Sequence, residues 1–230
     1  SALSDITKTY GAADDTVVTT LSTTTAIQYS SSNPSVVQIA STQVGSDTQT
    51  ATLTFTGAGT AIVTATLSET ANYESATTSF TVTVNKATPT LSGFADITKT
   101  YGDADFSLVQ PTSSSGGGFT YASSNTTTAT IVRSSSSNSF GTGGFGNLSG
   151  FPVVNKFNRV KISHSGVVII TATQSETANY VAGTISLTLT INKAAQSINV
   201  DPLPSTKPLK DFTTIPLTAT SSSGNPVSIT

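Results

Sequence analysis

Cysteine, methionine and tryptophan are all absent from the 230 residues, and histidine occurs once, at His164. Without cysteine there is no disulfide framework, no thiolate nucleophile and no cysteine-ligated zinc. Stability must then come from packing, and an extracellular life stays open. Charge is scarce too: charged residues make up 10% and the formal net charge is -2. That balance offers no basic patch for nucleic acid or an anionic membrane. No apolar run approaches the roughly 20 residues that cross a bilayer, so no membrane insertion is expected in this segment. No signal peptide is visible, and the first residue is Ser1 rather than Met.

What is abundant is serine and threonine, together about a third of the chain. Threonine suits a pleated sheet, because its branched Cβ restricts χ1 and its hydroxyl tolerates water. Lysine and glutamate, the usual residues of helix surfaces, are few. The composition predicts an all-β protein.

Self-similarity organises the chain. Asp5-Ile6-Thr7-Lys8-Thr9-Tyr10-Gly11 recurs as Asp96-Ile97-Thr98-Lys99-Thr100-Tyr101-Gly102. Tyr29-Ser30-Ser31-Ser32-Asn33 recurs as Tyr121-Ala122-Ser123-Ser124-Asn125. Ser68-Glu69-Thr70-Ala71-Asn72-Tyr73 recurs unchanged as Ser175-Glu176-Thr177-Ala178-Asn179-Tyr180, and Asn85-Lys86-Ala87 as Asn192-Lys193-Ala194. The first pair is offset by 91 residues and the last two by 107. The second copy therefore carries an insertion of roughly 15 residues between Asn125 and Gly166. Three domains are expected: 1–87, 88–194 with a Gly/Phe-rich insertion at about 133–157, and an incomplete third copy at 195–230. In the third, Lys210-Asp211-Phe212 is similar to Ala104-Asp105-Phe106, and Ser222-Ser223-Gly224 to Ser115-Gly116-Gly117. Half a sandwich cannot bury both inner faces, so the natural chain is expected to continue past Thr230.

Alternation identifies the strands. Phe80, Val82 and Val84 sit between Ser79, Thr81 and Thr83; Ile185, Leu187, Leu189 and Ile191 sit between Ser186, Thr188 and Thr190. Period two means one apolar and one wet face, as in an antiparallel sheet packed on one side. Thr60–Leu67, with Val63, Ala65 and Leu67 on one face, matches Val167–Gln174, and Leu53 and Phe55 match Val160 and Ile162. Val17–Leu21, Ala26–Tyr29 and Val36–Ile39 supply further strands. About seven strands per copy, broken by Gly, Asn, Pro and Ser turns, predict tandem immunoglobulin-like β-sandwiches, two complete and one partial. The joints at Asn85–Thr90 and Asn192–Gln196 are short, and Pro89 stiffens the first; joints of this kind favour an extended rod.

The opening Lys-Thr-Tyr-Gly at Lys8–Gly11 and Lys99–Gly102, the Tyr-x-Ser-Ser-Asn at Tyr29–Asn33 and Tyr121–Asn125, and the Ala-Asn-Tyr at Ala71–Tyr73 and Ala178–Tyr180 together resemble the bacterial immunoglobulin-like (BIG/MBG-type) repeat domains of large surface proteins. The resemblance covers both full copies and weakens in the third, where Lys207-Pro208-Leu209 replaces the Lys-Thr-Tyr-Gly. It implies a spacer or adhesive role in an adhesin, a cell-wall protein, or a fibre or decoration of a phage or virus. It implies no catalytic residues.

Each candidate site has a plainer structural role beside the functional one. In the Ser-Glu-Thr-Ala-Asn-Tyr loop, Tyr73 and Tyr180 are expected to lean over the sandwich end while Asn72 and Asn179 hold the turn. Gly11 and Gly102 are expected in a turn conformation that other residues avoid. Asp14 with Asp15, and Asp103 with Asp105, are thin candidates for Ca²⁺, which wants six or more oxygens. Lys86 and Lys193 would matter if an isopeptide bond to an Asn formed beside a buried acid. One histidine makes no catalytic triad. Asn125-Thr126-Thr127 and Asn147-Leu148-Ser149 fit the glycosylation sequon. The insertion carries Phe140, Phe145, Phe151 and Phe157 among glycines. Each ring gains roughly 2 kcal/mol on leaving water, either by capping its own sandwich or by docking on a partner.

These readings add up to a structural or adhesive repeat module, extracellular on a cell surface or virion. The expected partners are other subunits of such an assembly, with no cofactor and no enzyme activity. The alternative is a carbohydrate-binding module for glycans, although the chain has no tryptophan and only 6 tyrosines for a stacking platform.

Overall fold

The structure is a computed structural model that describes residues 4–20, 26–43, 48–134, 157–202 and 217–229. Among the described residues every regular element is a strand. Seven belong to the first copy: β1 (Ile6–Thr9), β2 (Asp15–Thr20), β3 (Ile27–Ser31), β4 (Val37–Gln43), β5 (Thr48–Phe55), β6 (Gly59–Leu67) and β7 (Ala76–Asn85). They form two sheets, ordered β1-β7-β6-β3 and β2-β5-β4. Three antiparallel strands face a sheet that gains an edge strand running parallel to the last strand. This is the immunoglobulin-like sandwich.

Threonine alternation sets the faces. Along β5, Gln49, Ala51, Leu53 and Phe55 are buried while Thr48, Thr50, Thr52 and Thr54 are half-buried. Opposite them, Ala61, Val63, Phe80, Val82 and Val84 complete the core. Each large apolar side chain taken fully from water contributes about 1.5–3 kcal/mol. Leu67, expected on the buried face, is only half-buried at the end of β6.

The second copy repeats this order. After β8 (Leu91–Ser92) come β9 (Ile97–Thr100), β10 (Phe106–Ser107), β11 (Thr112–Ser113), β12 (Phe119–Ser123), β13 (Ala129–Ser134), β14 (Phe157–Ile162), β15 (Gly166–Gln174) and β16 (Gly183–Asn192). The sheets run β12-β15-β16-β9 and β10-β14-β13, with a short β11-β8 ladder. The third copy contributes β17 (Ile198–Val200) and β18 (Ala219–Ser221), which pair as β8 and β11 do. The chain is therefore all-β, with two tandem immunoglobulin-like sandwiches and the start of a third.

The chain also groups into two compact units. One is Ser1–Ala95, Leu108–Ser124 and Ile169–Leu187; the other is Asp96–Ser107, Asn125–Val168 and Thr188–Thr230. In the first, Ile170, Ala172 and Leu187 are buried besides the core already described. In the second, Ala129, Val160, Val168, Leu189 and Ile191 are buried. The division runs through β15 and β16, whereas the strand order is that of one sandwich per copy.

The repeated motifs satisfy backbone groups. Ile6–Thr9 lies parallel to Val82–Asn85, and Ile97–Thr100 to Leu189–Asn192. Asp5 Oδ1 accepts the Thr81 N–H at 2.7 Å, and Asp96 Oδ1 accepts the Thr188 N–H at 2.6 Å, so the aspartate of each motif pins the parallel strand. Gly11 and Gly102 follow with φ of 84° and 96°, the left-handed region that favours glycine. In the Tyr-x-Ser-Ser-Asn motif, Ser32 and Ser124 accept the N–H of Ile62 and Ile169. Asn33 and Asn125 accept from the Ser35 and Thr127 amides.

One particular differs from the sequence reading. The strands align Ser221 with Ser113, which shifts the third-copy match by one residue: Ser223 donates its N–H to Ser221 Oγ as Ser115 does to Ser113 Oγ. At the insertion, Arg133 and Ser134 end β13, and Phe157 opens β14 opposite Ser134. The remainder, with Phe140, Phe145, Phe151 and Asn147, lies outside the described residues, as do Lys207–Phe212.

Candidate functional site

The most elaborated site in the first compact unit is the joint where the chain passes from the first copy to the second. Its parts come from three of the repeated motifs. Tyr10 stands where β1 ends, held by its N–H to the Asn85 carbonyl at 2.8 Å. Lys86 and Ala87 follow β7 directly. Against them sits the loop Ser175–Tyr180, which connects β15 and β16.

That loop is a closed turn. The Thr177 N–H donates to the Tyr180 carbonyl at 2.9 Å, and Thr177 Oγ1 accepts the Tyr180 N–H at 3.2 Å. Its outward groups reach the first copy. The Tyr180 ring meets the Tyr10 ring edge to face, with centroids 5.5 Å apart and planes at 77°, the arrangement that ring quadrupoles favour. Asn179 Oδ1 accepts the Ala58 N–H at 2.9 Å, and the Asn179 carbonyl accepts the Ala87 N–H at 2.9 Å. The Val181 N–H donates to the Ala87 carbonyl at 2.9 Å, so the linker residue forms a parallel bridge to the loop. Lys86 Nζ lies 3.6 Å from Glu176 Oε2, a solvent-exposed pair of small worth. Gly57 is needed here for space: a Cβ on it would stand 2.5 Å from the Ser35 carbonyl oxygen and 3.4 Å from Asn179 Oδ1.

This corrects the reading of the loop. Tyr180 leans on the preceding copy rather than on its own sandwich, and Asn179 satisfies a backbone amide across the joint rather than the turn it belongs to. In the first copy the same six residues are all exposed, with Tyr73 at 72%. Sequence inspection missed the contact because the two loops are identical; the repetition was the only signal available.

The remaining candidates sit elsewhere. Lys8 Nζ lies 3.0 Å from Asp15 Oδ2, and this hydrogen bond, with that from the Thr16 amide, holds the Asp15 carboxyl below the usual aspartate range. Asp14 accepts from Thr54 Oγ1 at 3.0 Å, and Asp103 accepts the Thr100 N–H at 2.9 Å. The Asp105 carbonyl accepts from Arg159 at 3.0 Å. Among the described residues no group of three or more acidic or histidine side chains converges as a metal would require. Lys86 faces Glu176, whose side chain is 69% exposed, where an isopeptide bond needs a buried acid. His164 Nδ1 meets the Thr127 carbonyl at 2.7 Å, and the residue is exposed. Burial pushes the Tyr121 phenol up from its ordinary range.

The fold and the joint define a tandem immunoglobulin-like repeat module. No family model matches the chain, and no curated protein matches it. Solved structures with a similar chain path include the titin domains Z1Z2 in complex with telethonin, at 11% identity and a TM-score of 0.41, covering 84% of this chain and 95% of that one. The surface layer protein SbsC, domains 1–6, is 19% identical with a TM-score of 0.30, covering 87% and 24%. The endo-fucoidan hydrolase MfFcnA4 of glycoside hydrolase family 107 is 14% identical with a TM-score of 0.32 over 85% of this chain, which spans 28% of the hydrolase.

Proposed function

We propose that the chain is a structural, adhesive repeat segment of a long protein of the bacterial immunoglobulin-like type. It would be displayed outside the cell as a surface filament, an adhesin, or a fibre or decoration of a virion. It works as a spacer, and loops make the contacts. The observation that carries this reading is the seated loop at the first joint. The repeated motifs spend their polar groups on pinning strands and on locking one copy to the next, which is what a spacer needs. The threonine-coated outer faces and the small net charge fit a surface that meets water without attracting polyanions.

Contact falls to the insertion between β13 and β14, where Phe140, Phe145 and Phe151 are carried. These rings dock on other subunits of the assembly. Immunogold labelling of the intact source with antibodies against this chain tests the placement. Label on an external filament, cell wall or virion supports it, and label confined to the cell interior overturns it. For the contact role, the deletion of Ser134–Phe151 is compared with the parent chain in an attachment or assembly assay. Loss of attachment with an unchanged fold is expected, and unchanged attachment refutes it.

A further inference from the structure

In each full copy an early strand lies parallel to the strand by which the chain leaves. Ile6–Thr9 runs beside Val82–Asn85, and Ile97–Thr100 beside Leu189–Asn192. In a parallel pair the start of one strand and the end of the other stand at opposite ends of the ladder. A pull on the chain from both directions therefore slides β1 along β7, and β9 along β16. Sliding loads every hydrogen bond of the ladder together. An antiparallel pair pulled from neighbouring ends would instead open one bond at a time.

Both ladders are prolonged by the same groups. At one end Asp5 Oδ1 accepts the Thr81 N–H, and Asp96 Oδ1 the Thr188 N–H. At the other end the Tyr10 N–H donates to the Asn85 carbonyl and the Tyr101 N–H to the Asn192 carbonyl, each at 2.8 Å. Each short strand is also tied to the second sheet. Lys8 Nζ lies 3.0 Å from Asp15 Oδ2 on β2. Phe106 stands at the position of Asp15 under the 91-residue offset, and Lys99 Nζ lies 5.2 Å from its ring centroid, a cation–π contact. The tether is kept while its chemistry changes.

We infer that these parallel edges are shear clamps and that the chain carries tension along its length. Until β1 slides on β7, the segment between them is shielded from the pull, so the ladder sets the barrier to unfolding under force. The second copy is protected in the same way by β9 and β16. The inference deepens the spacer reading and rests on it for the source of the pull. The clamp itself is read on the isolated chain, so its failure and a failure of the external placement are separate results.

The unfolding rate under a constant stretching force, with the whole chain held by its two ends, tests the clamp. The copies report separately. Release of β1 from β7 frees residues 6–85, about 270 Å of extended chain, and release of β9 from β16 frees residues 97–192, about 330 Å. Asp5→Ala is expected to speed the shorter step roughly 2- to 10-fold, and Asp96→Ala the longer step by the same factor, for one hydrogen bond already broken in the transition state. Asp5→Asn keeps an Oδ1 acceptor and should stay closer to the parent chain. Gln49→Leu removes hydrogen bonds between β5 and β3, away from the ladder. Those bonds break after the clamp, so this variant should unfold under force at the parent rate. An aspartate-to-alanine variant that unfolds at the parent rate overturns the proposal, and so does a Gln49→Leu chain whose shorter step is as fast as that of Asp5→Ala.

Discussion

Tyr180 of the second copy rests edge-on against Tyr10 of the first, with ring centroids 5.5 Å apart, while the equivalent Tyr73 is 72% exposed. The two tyrosines end identical hexapeptides, so they form an internal control. Tyr180→Ala is expected to cost about 0.5–1.5 kcal/mol for the ring pair, plus the apolar area it uncovers. Tyr73→Ala is expected to stay within about 0.5 kcal/mol of the parent chain, as exposed substitutions do. Urea denaturation of both variants at low chain concentration checks the difference. Equal losses would contradict the assignment of the joint.

Gln49 gives a second prediction. It is 3% exposed, and its side-chain amide reaches from β5 to the edge strand β3. Oε1 accepts the Ile27 N–H at 2.7 Å and Nε2 donates to the Ile27 carbonyl at 2.5 Å. Gln174, 1% exposed, plays a comparable part in the second copy: Oε1 accepts from Ser113 Oγ, and Nε2 donates to the Ser115 and Gly117 carbonyls. Gln49→Leu leaves two backbone groups without their partner, at about 1–3 kcal/mol for each that stays buried. Chemical denaturation should show this loss even though leucine is the more apolar residue. A neutral or stabilising result would mean that water replaces the amide.

Gly11 and Gly102 test backbone conformation alone. A Cβ at either position meets nothing within 4 Å, yet φ is positive at both. Alanine should therefore cost about 1–2 kcal/mol from the left-handed backbone and nothing from crowding. Asparagine, which tolerates this region, should cost less. Thermal melts of the four single variants rank them.

The Lys8–Asp15 pair predicts a pH dependence. Hydrogen bonds from Lys8 and the Thr16 amide depress the Asp15 pKa in the folded chain. The native state therefore binds fewer protons there than the unfolded state in the acid range. The resulting stabilisation is present above the ordinary aspartate pKa and is lost as pH falls through the lower folded value. The stability difference between the parent chain and Asp15→Asn should be constant at neutral pH and shrink below about pH 4. Denaturation curves from pH 7 to pH 2 measure it; a difference that grows on acidification would reverse the sign.

The insertion predicts tolerance. It lies between β13 and β14, which are already paired from Ala129 with Ile162 to Ser134 with Phe157. Lengthening a connection between paired strands costs little, roughly 0.6 kcal/mol per doubling. Replacing 135–156 by a short turn should leave the far-ultraviolet circular dichroism unchanged and the melting temperature equal or higher. A collapse of the β signal would show that the insertion completes the core.

Much of the fold was legible because one-sided burial imposes period two on the chain. Phe80, Val82 and Val84 alternate with threonine, and these are the residues found in the core. Glycine at Gly11 and Gly102 marked turns that only positive φ explains. The parallel seating of Ile6–Thr9 on Val82–Asn85 was not legible, because four residues carry no record of a partner more than seventy positions away. Gln49 and Gln174 were equally silent, since a glutamine on an alternating strand reads as a wet-face residue until something across the core claims its amide.

Composition and repetition by themselves determined that the chain is all-β, that it is built in copies, and which faces are apolar, because these follow from local periodicity and from matching segments. Tertiary structure alone decided which copy of Ser-Glu-Thr-Ala-Asn-Tyr is engaged. Six identical residues have identical local preferences, so only the surface brought against them separates Tyr180, stacked on Tyr10, from Tyr73, open to water.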